Sequence, residues 1–104
     1  MPTPIKFVID VLKGELDRVK FEENELKIHT EVLFNEFNHW CDACGIAEQI
    51  TMQTFSKNLN KIAKSKAIRV NSVLKKGYEF VQDETVGAIC VYLKMPNLDI
   101  LNIE

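Results

Sequence analysis

The stretch TEVLFNEFNHWCDACGIAEQITMQTFSKNLNKIAK, residues 30–64, decides how the chain reads. It holds two amphipathic segments joined by a short linker. In the first, Val32, Leu33, Phe37, Trp40, Cys41 and Cys44 recur at helical spacing, with Phe34 beside the stripe. Thr30 is a good N-cap type, Glu31 and Glu36 complement the helix dipole, and Gly45 is a natural residue to end the helix. After residues 46–50, Thr51 caps a second helix with an apolar face of Met52, Phe55, Leu59, Ile62 and Ala63. Its other face shows Gln53, Thr54, Ser56, Lys57, Asn60, Lys61 and Lys64, side chains that donate to phosphates or reach base edges. The arrangement predicts a helix-turn-helix-like unit whose second helix does the recognising. The plainer reading of that face is an ordinary solvated helix surface.

Charge is segregated around this unit. Residues 1–48 carry five basic and ten acidic side chains, and residues 79–104 carry Lys94 against five acids. Between them lie Lys57, Lys61, Lys64, Lys66, Arg69, Lys75 and Lys76 with no acid at all. The net charge of −2 and the pI of about 5.7 therefore conceal a strongly basic block. Local field, more than net charge, governs a binding face.

Upstream, residues 4–20 predict a helix. Thr3 caps it, Pro4 suits its first turn, and Ile5, Val8, Ile9, Leu12, Leu16 and Val19 form an apolar stripe. Gly14 marks a place for it to bend or end. Residues 21–27 are acidic and aperiodic and read as a loop. Downstream, the period shortens to two from Ala67. Residues 68–70 read as a short strand and residues 74–77 as a turn. Residues 78–82 and 88–93 read as paired strands around a loop at 83–87. Residues 97–104 carry Leu98, Ile100, Leu101 and Ile103, an apolar tail suited to packing on the domain or on a second copy. The expected fold is α+β, a winged helix-turn-helix of three helices followed by a β-hairpin. A single domain spans residues 1–104, with its core at about 28–95.

The bulk properties agree with an intracellular, cytoplasmic protein. At 104 residues, 46% hydrophobic and 27% charged, the chain suits one globular domain. No leader pattern and no membrane-length apolar run is present, and three cysteines do not make a secreted disulfide framework.

Candidate chemistry is sparse. Cys41 and Cys44 form a C-x-x-C that closes a helix, where the dipole opposes a thiolate. Zinc would need four ligands from Cys41, Cys44, Cys90, His29 and His39, and no second C-x-x-C or spaced His pair completes the set. The cysteines read as small core residues, Trp40 as a core anchor and His39 as surface. Of Tyr78 and Phe80, one reads as core and the other as able to stack on a base. No phosphate loop, nucleophile elbow or paired-carboxylate motif occurs. No enzyme, cofactor or metal is expected.

Leu33, Phe37, Trp40, Cys41 and Gly45, followed by Thr51, Phe55 and Leu59, resemble a known pattern. It is that of the C-terminal winged-helix domain of poxvirus-type primase-helicases and related phage and plasmid replication primases. Lys76-Gly77-Tyr78 and Gly87-Ala88-Ile89 sit where its hairpin elements would, and the regulatory-factor-X DNA-binding domain has a related helix pattern. The resemblance covers about residues 5–94. It implies a non-catalytic DNA-binding domain that helps a replication primase or helicase engage DNA. One departure stands out: the expected wing loop holds Asp83 and Glu84 where the family's wing is basic, so either this loop points away from DNA or, the favoured reading, the contacting turn is Lys75-Lys76-Gly77.

The resulting interface comprises Lys57, Lys61, Lys64, Lys66, Arg69, Lys75 and Lys76 on phosphates, with Gln53, Thr54 and Asn60 as base readers and duplex DNA as the favoured partner. The alternative is a protein-interaction or dimerisation module that uses the apolar tail.

Overall fold

A computed structural model describes residues 2–94. The described elements run α1 (Thr3–Leu12), β1 (Glu25–His29), α2 (Thr30–Ala43), α3 (Met52–Leu59), β2 (Ser65–Val70), β3 (Val73–Val81) and α4 (Gln82–Leu93). Together they form an α+β domain of four helices and a three-stranded antiparallel sheet, with strand order β1-β3-β2. The tail at residues 97–104 lies outside the described residues.

Helix α1 is the centre of the core. Ile5, Phe7, Val8, Ile9, Val11 and Leu12 are all buried, so the helix is apolar almost all round and not only along one stripe. It packs against α2, α3 and α4. The helix ends at Leu12, well short of residue 20, and Val19 is buried from the segment that follows.

Phenylalanines knit the first three helices together. The Phe7 ring meets Phe37 edge-on at 5.4 Å, Phe37 lies 4.8 Å from Phe55, and Phe34 lies 5.3 Å from Phe55. Each such pair adds about 0.5–1.5 kcal/mol beyond the area it buries. Trp40 closes the cluster 5.5 Å from Phe7, and its indole Nε1–H donates to Asp10 Oδ2 at 2.9 Å. The Trp40 anchor is thus half apolar packing and half polar tether between α2 and α1.

The stripe on α2 is narrower than its sequence suggests: Leu33, Phe37 and Cys41 are buried, whereas Val32 and Cys44 are exposed. Thr30 is not the cap. His29 holds that position without a side-chain hydrogen bond, and Thr30 begins the helix with its hydroxyl buried and unpartnered among the described residues. Gly45, in the left-handed region at φ 71°, ends the helix. Thr51 does cap α3, accepting the Thr54 backbone N–H at 3.2 Å. That helix stops at Leu59, with Phe55, Leu59 and Ile62 buried and Met52 left exposed.

The hairpin lies earlier than the sequence pattern predicts. It pairs β2 with β3, from Ser65 opposite Tyr78 to Val70 opposite Val73, and turns through Asn71 and Ser72 at φ 52° and 67°. Two positive φ values in a two-residue loop match the right-handed twist of the strands. Residues 74–77, expected as a turn, lie inside β3. Strand β1, whose first three residues are expected as loop, covers the other edge of β3, with Ile28 opposite Tyr78 and Leu26 opposite Phe80. Tyr78 and Phe80 are both buried and stack on each other at 5.6 Å, so neither is a base-stacking platform.

Residues 82–93, half of them expected in a strand, form α4 instead. Asp83 and Glu84 complement the dipole in its first turn. The Thr85 hydroxyl donates to the Val81 carbonyl at 2.9 Å, and Ile89 and Cys90 turn into the core.

Candidate nucleic-acid interface

All ten residues assigned to the interface from the sequence are exposed. The fold brings five of them together. Gln53 and Lys57 on α3, Asn60 at its C-terminal cap, and Lys75 and Lys76 on β3 line one open groove of about 750 Å³, together with Thr30 and Glu31 of α2. The helix supplies its part by spacing alone, since residues 53, 56, 57 and 60 fall on one face. The β3 lysines get there because β3 packs against α2, and Tyr78 of the same strand bonds to Asn60 at the end of α3.

Charge in this groove is unevenly free. Lys57 and Lys76 have no ion-pair partner among the described residues. Lys75 Nζ lies 3.6 Å from Glu31 Oε2, and both side chains are largely solvated, so the pair adds little stability and leaves Lys75 available to a stronger anion. Glu31, the one acid of the groove, reads in sequence only as a dipole partner. Ser56 and Met52 are further lining residues that the sequence reading leaves out of the interface. The 53-56-57-60 spacing was the signal for Ser56.

The other five residues are dispersed. Thr54 belongs to the α3 cap, where its hydroxyl accepts from Thr51 Oγ1 at 3.2 Å. Lys61 sits over the Tyr92 ring of α4, 5.5 Å from its centroid. Lys66 Nζ donates to Glu79 Oε1 at 3.4 Å, and Lys27 binds the other oxygen of that carboxylate. These two lysines hold Glu79 below its ordinary carboxylate pKa. Arg69 Nη1 donates to the Ser72 carbonyl at 3.3 Å and so stands at the hairpin tip. Lys64 follows α3, exposed, outside the groove.

Asn60 has a second role. The buried Tyr78 hydroxyl donates to Asn60 Oδ1 at 3.1 Å, which ties the end of α3 to the middle of β3. Burial raises the Tyr78 pKa, and hydrogen bonding at Ser56 opposes this only in part, so the hydroxyl keeps its proton.

A second hollow, along α2 and the segment that joins it to α3, carries acids. Phe34, Cys41, Ile46 and Ile50 floor this space of about 790 Å³, edged by Asp42 and Glu48. Burial is the main reason that the Cys41 thiol has a raised pKa, and the neighbouring Cys44, Asp42 and Glu48 push the same way. The cysteines are free, with Cys41 and Cys90 buried and Cys44 exposed. Among the described residues no group of three or more His, Cys, Asp or Glu is placed to hold a metal ion, and no helix is long and apolar enough to cross a membrane.

Comparison with protein-family models, with curated proteins and with solved structures finds no match to this chain.

Proposed function

We propose that the chain is a winged-helix DNA-binding module, without catalysis of its own, that lets an intracellular replication primase or helicase engage duplex DNA. The observation that carries this reading is the groove in which Gln53, Lys57 and Asn60 of α3 meet Lys75 and Lys76 of β3. The order of elements supports it too. Three helices precede the β2–β3 hairpin, β1 lies between the first two, and the strands run β1-β3-β2. In this reading α3 enters the major groove, about 12 Å wide. The hairpin is the wing, tipped by Arg69, Asn71 and Ser72. The departure noted at Asp83 and Glu84 then concerns α4 and not the wing.

The test is a titration of labelled duplex and single-stranded DNA at two salt concentrations. Binding should weaken with salt at a log–log slope of about 0.9 per phosphate contacted on duplex, and duplex should win. Affinity that ignores salt, or no binding at all, overturns the reading.

A protein-docking role is the second reading. It draws on Val91, 79% exposed on α4, and on Val73 and Leu74 beside the hairpin turn. A stable dimer that binds no DNA would favour it.

A further inference from the structure

From the Tyr78–Asn60 hydrogen bond we infer that Asn60 is a donor-only reader of the major groove, selecting guanine over adenine, with Tyr78 as the positioning residue that sets its orientation. The inference rests on the duplex-binding reading above and deepens it.

A free asparagine carboxamide offers one acceptor oxygen and two N–H donors, and it is this pairing of donor with acceptor that matches adenine, whose edge shows N7 as acceptor and N6 as donor. Asn60 does not present both equally, because the Tyr78 contact takes one of the two Oδ1 lone pairs and holds that oxygen toward β3. Its Oδ1 accepts the Tyr78 hydroxyl at 3.1 Å. That hydroxyl is buried, keeps its proton, and has one further acceptor nearby, the Ser56 carbonyl at 3.5 Å, the outer limit of a hydrogen bond. The hydrogen therefore goes to Asn60. With the oxygen engaged inward, Nδ2 is the end of the carboxamide left for the groove that Asn60 lines.

The neighbours reinforce the bias. Of the charged side chains in the same groove, Lys57, Lys75 and Lys76 are donors only, and the one acceptor, Glu31, is paired with Lys75. A guanine edge presents two acceptors, O6 and N7, to such a surface, whereas an adenine edge brings its N6 donor against another donor. Gln53, about two turns earlier on the same face, keeps both functions.

The experiment selects duplexes from a randomised library with the whole chain, with Tyr78→Phe and with Asn60→Ala, and compares base preference and salt slope. The unaltered chain should enrich guanine at one position at least. Tyr78→Phe frees Oδ1 and should move that position toward adenine by roughly tenfold, the scale of one bidentate contact, with the salt slope unchanged. Asn60→Ala should flatten it. A purely structural Tyr78 would lower affinity for every sequence alike. Replacing the selected guanine by 7-deazaguanine, which lacks the N7 acceptor, should weaken binding by the unaltered chain, and this arm needs no variant to fold. An unchanged base profile in Tyr78→Phe, a preference that survives Asn60→Ala, or indifference to 7-deazaguanine overturns the inference while leaving duplex binding intact. Absence of duplex binding by the unaltered chain overturns the parent reading and this one with it.

Discussion

His29 reaches across Gly77 to Ile68. Its ring Nε2–H donates to the Ile68 carbonyl oxygen at 3.1 Å, from β1 over β3 to β2. The bridge crosses the one position of β3 that has no side chain. A Cβ there would stand 2.5 Å from the Ile28 carbonyl oxygen, 2.8 Å from Ile68 Cδ1 and 2.9 Å from His29 Cα. Two of those three atoms are backbone and cannot swing aside. Gly77→Ala should therefore destabilise the domain by about 2–3 kcal/mol and lower Tm by roughly 10 °C or more. Thermal melting checks it, and an unchanged Tm would mean that the strands do not approach so closely.

The hairpin turn predicts the opposite sign. Ser72 sits at φ 67°, a left-handed conformation that disfavours residues with a Cβ. Ser72→Gly should relieve this and raise stability by about 0.5–1 kcal/mol. Arg69 grips only the backbone carbonyl of residue 72, so the substitution leaves that contact in place. Denaturant unfolding should show a higher midpoint at unchanged slope.

Lysines of one charge should behave differently in binding. Lys57→Ala and Lys76→Ala should each reduce the salt slope on duplex DNA by about 0.9. Lys66→Ala should leave it nearly unchanged, because that ammonium already serves Glu79 outside the groove. Equal losses at all three positions would extend the contact surface across the sheet to Lys66 on β2.

Tyr78 gives a pH signature. Its pKa is raised above the ordinary value of 10 in the folded state. The unfolded chain thus loses the phenolic proton first, so this contribution to stability is present below pH 10 and is lost as pH rises beyond it. Denaturant midpoints between pH 8 and pH 11 should fall more steeply for the unaltered protein than for Tyr78→Phe. Parallel curves would show that the hydroxyl is not buried.

Thiol labelling should separate the three cysteines. Cys44 is exposed and should react quickly at neutral pH, and Cys44→Ser should abolish that phase. Cys41 and Cys90 are buried, and Cys41 is also held protonated, so both should label only on unfolding. Rapid reaction at Cys41 would reopen the C-x-x-C as chemistry.

Much of the helical half was readable from residue spacing. Phe37, Cys41, Phe55 and Leu59 are core as their periodicity predicts, and Thr51 caps α3. The strand half was not. In residues 88–93 the β-branched and aromatic types favour a strand, yet Thr85 and Ile89, four apart and both buried, make a helix face. Tertiary burial overrode local propensity there. The β2–β3 turn carries no sequence signal, because Asn71-Ser72 lacks the glycine that usually marks a positive-φ pair. The ten candidate contacts were all surface residues, but only a fold could show that Lys66 and Lys61 are committed to Glu79 and Tyr92.

The placing of α1 bears on when the molecule can fold at all. Its apolar surface is covered by α2, α3 and, from the far end of the described chain, α4. Contacts between segments so distant in sequence make folding slow relative to a local helical bundle. During synthesis Ile5, Phe7 and Val11 emerge before Ile89 and wait for it to leave the ribosome before their shell is complete. The face that α1 presents is completed only by the last described helix, so the stretch from α1 to α4 is exposed to aggregation and to chaperone capture until α4 is made.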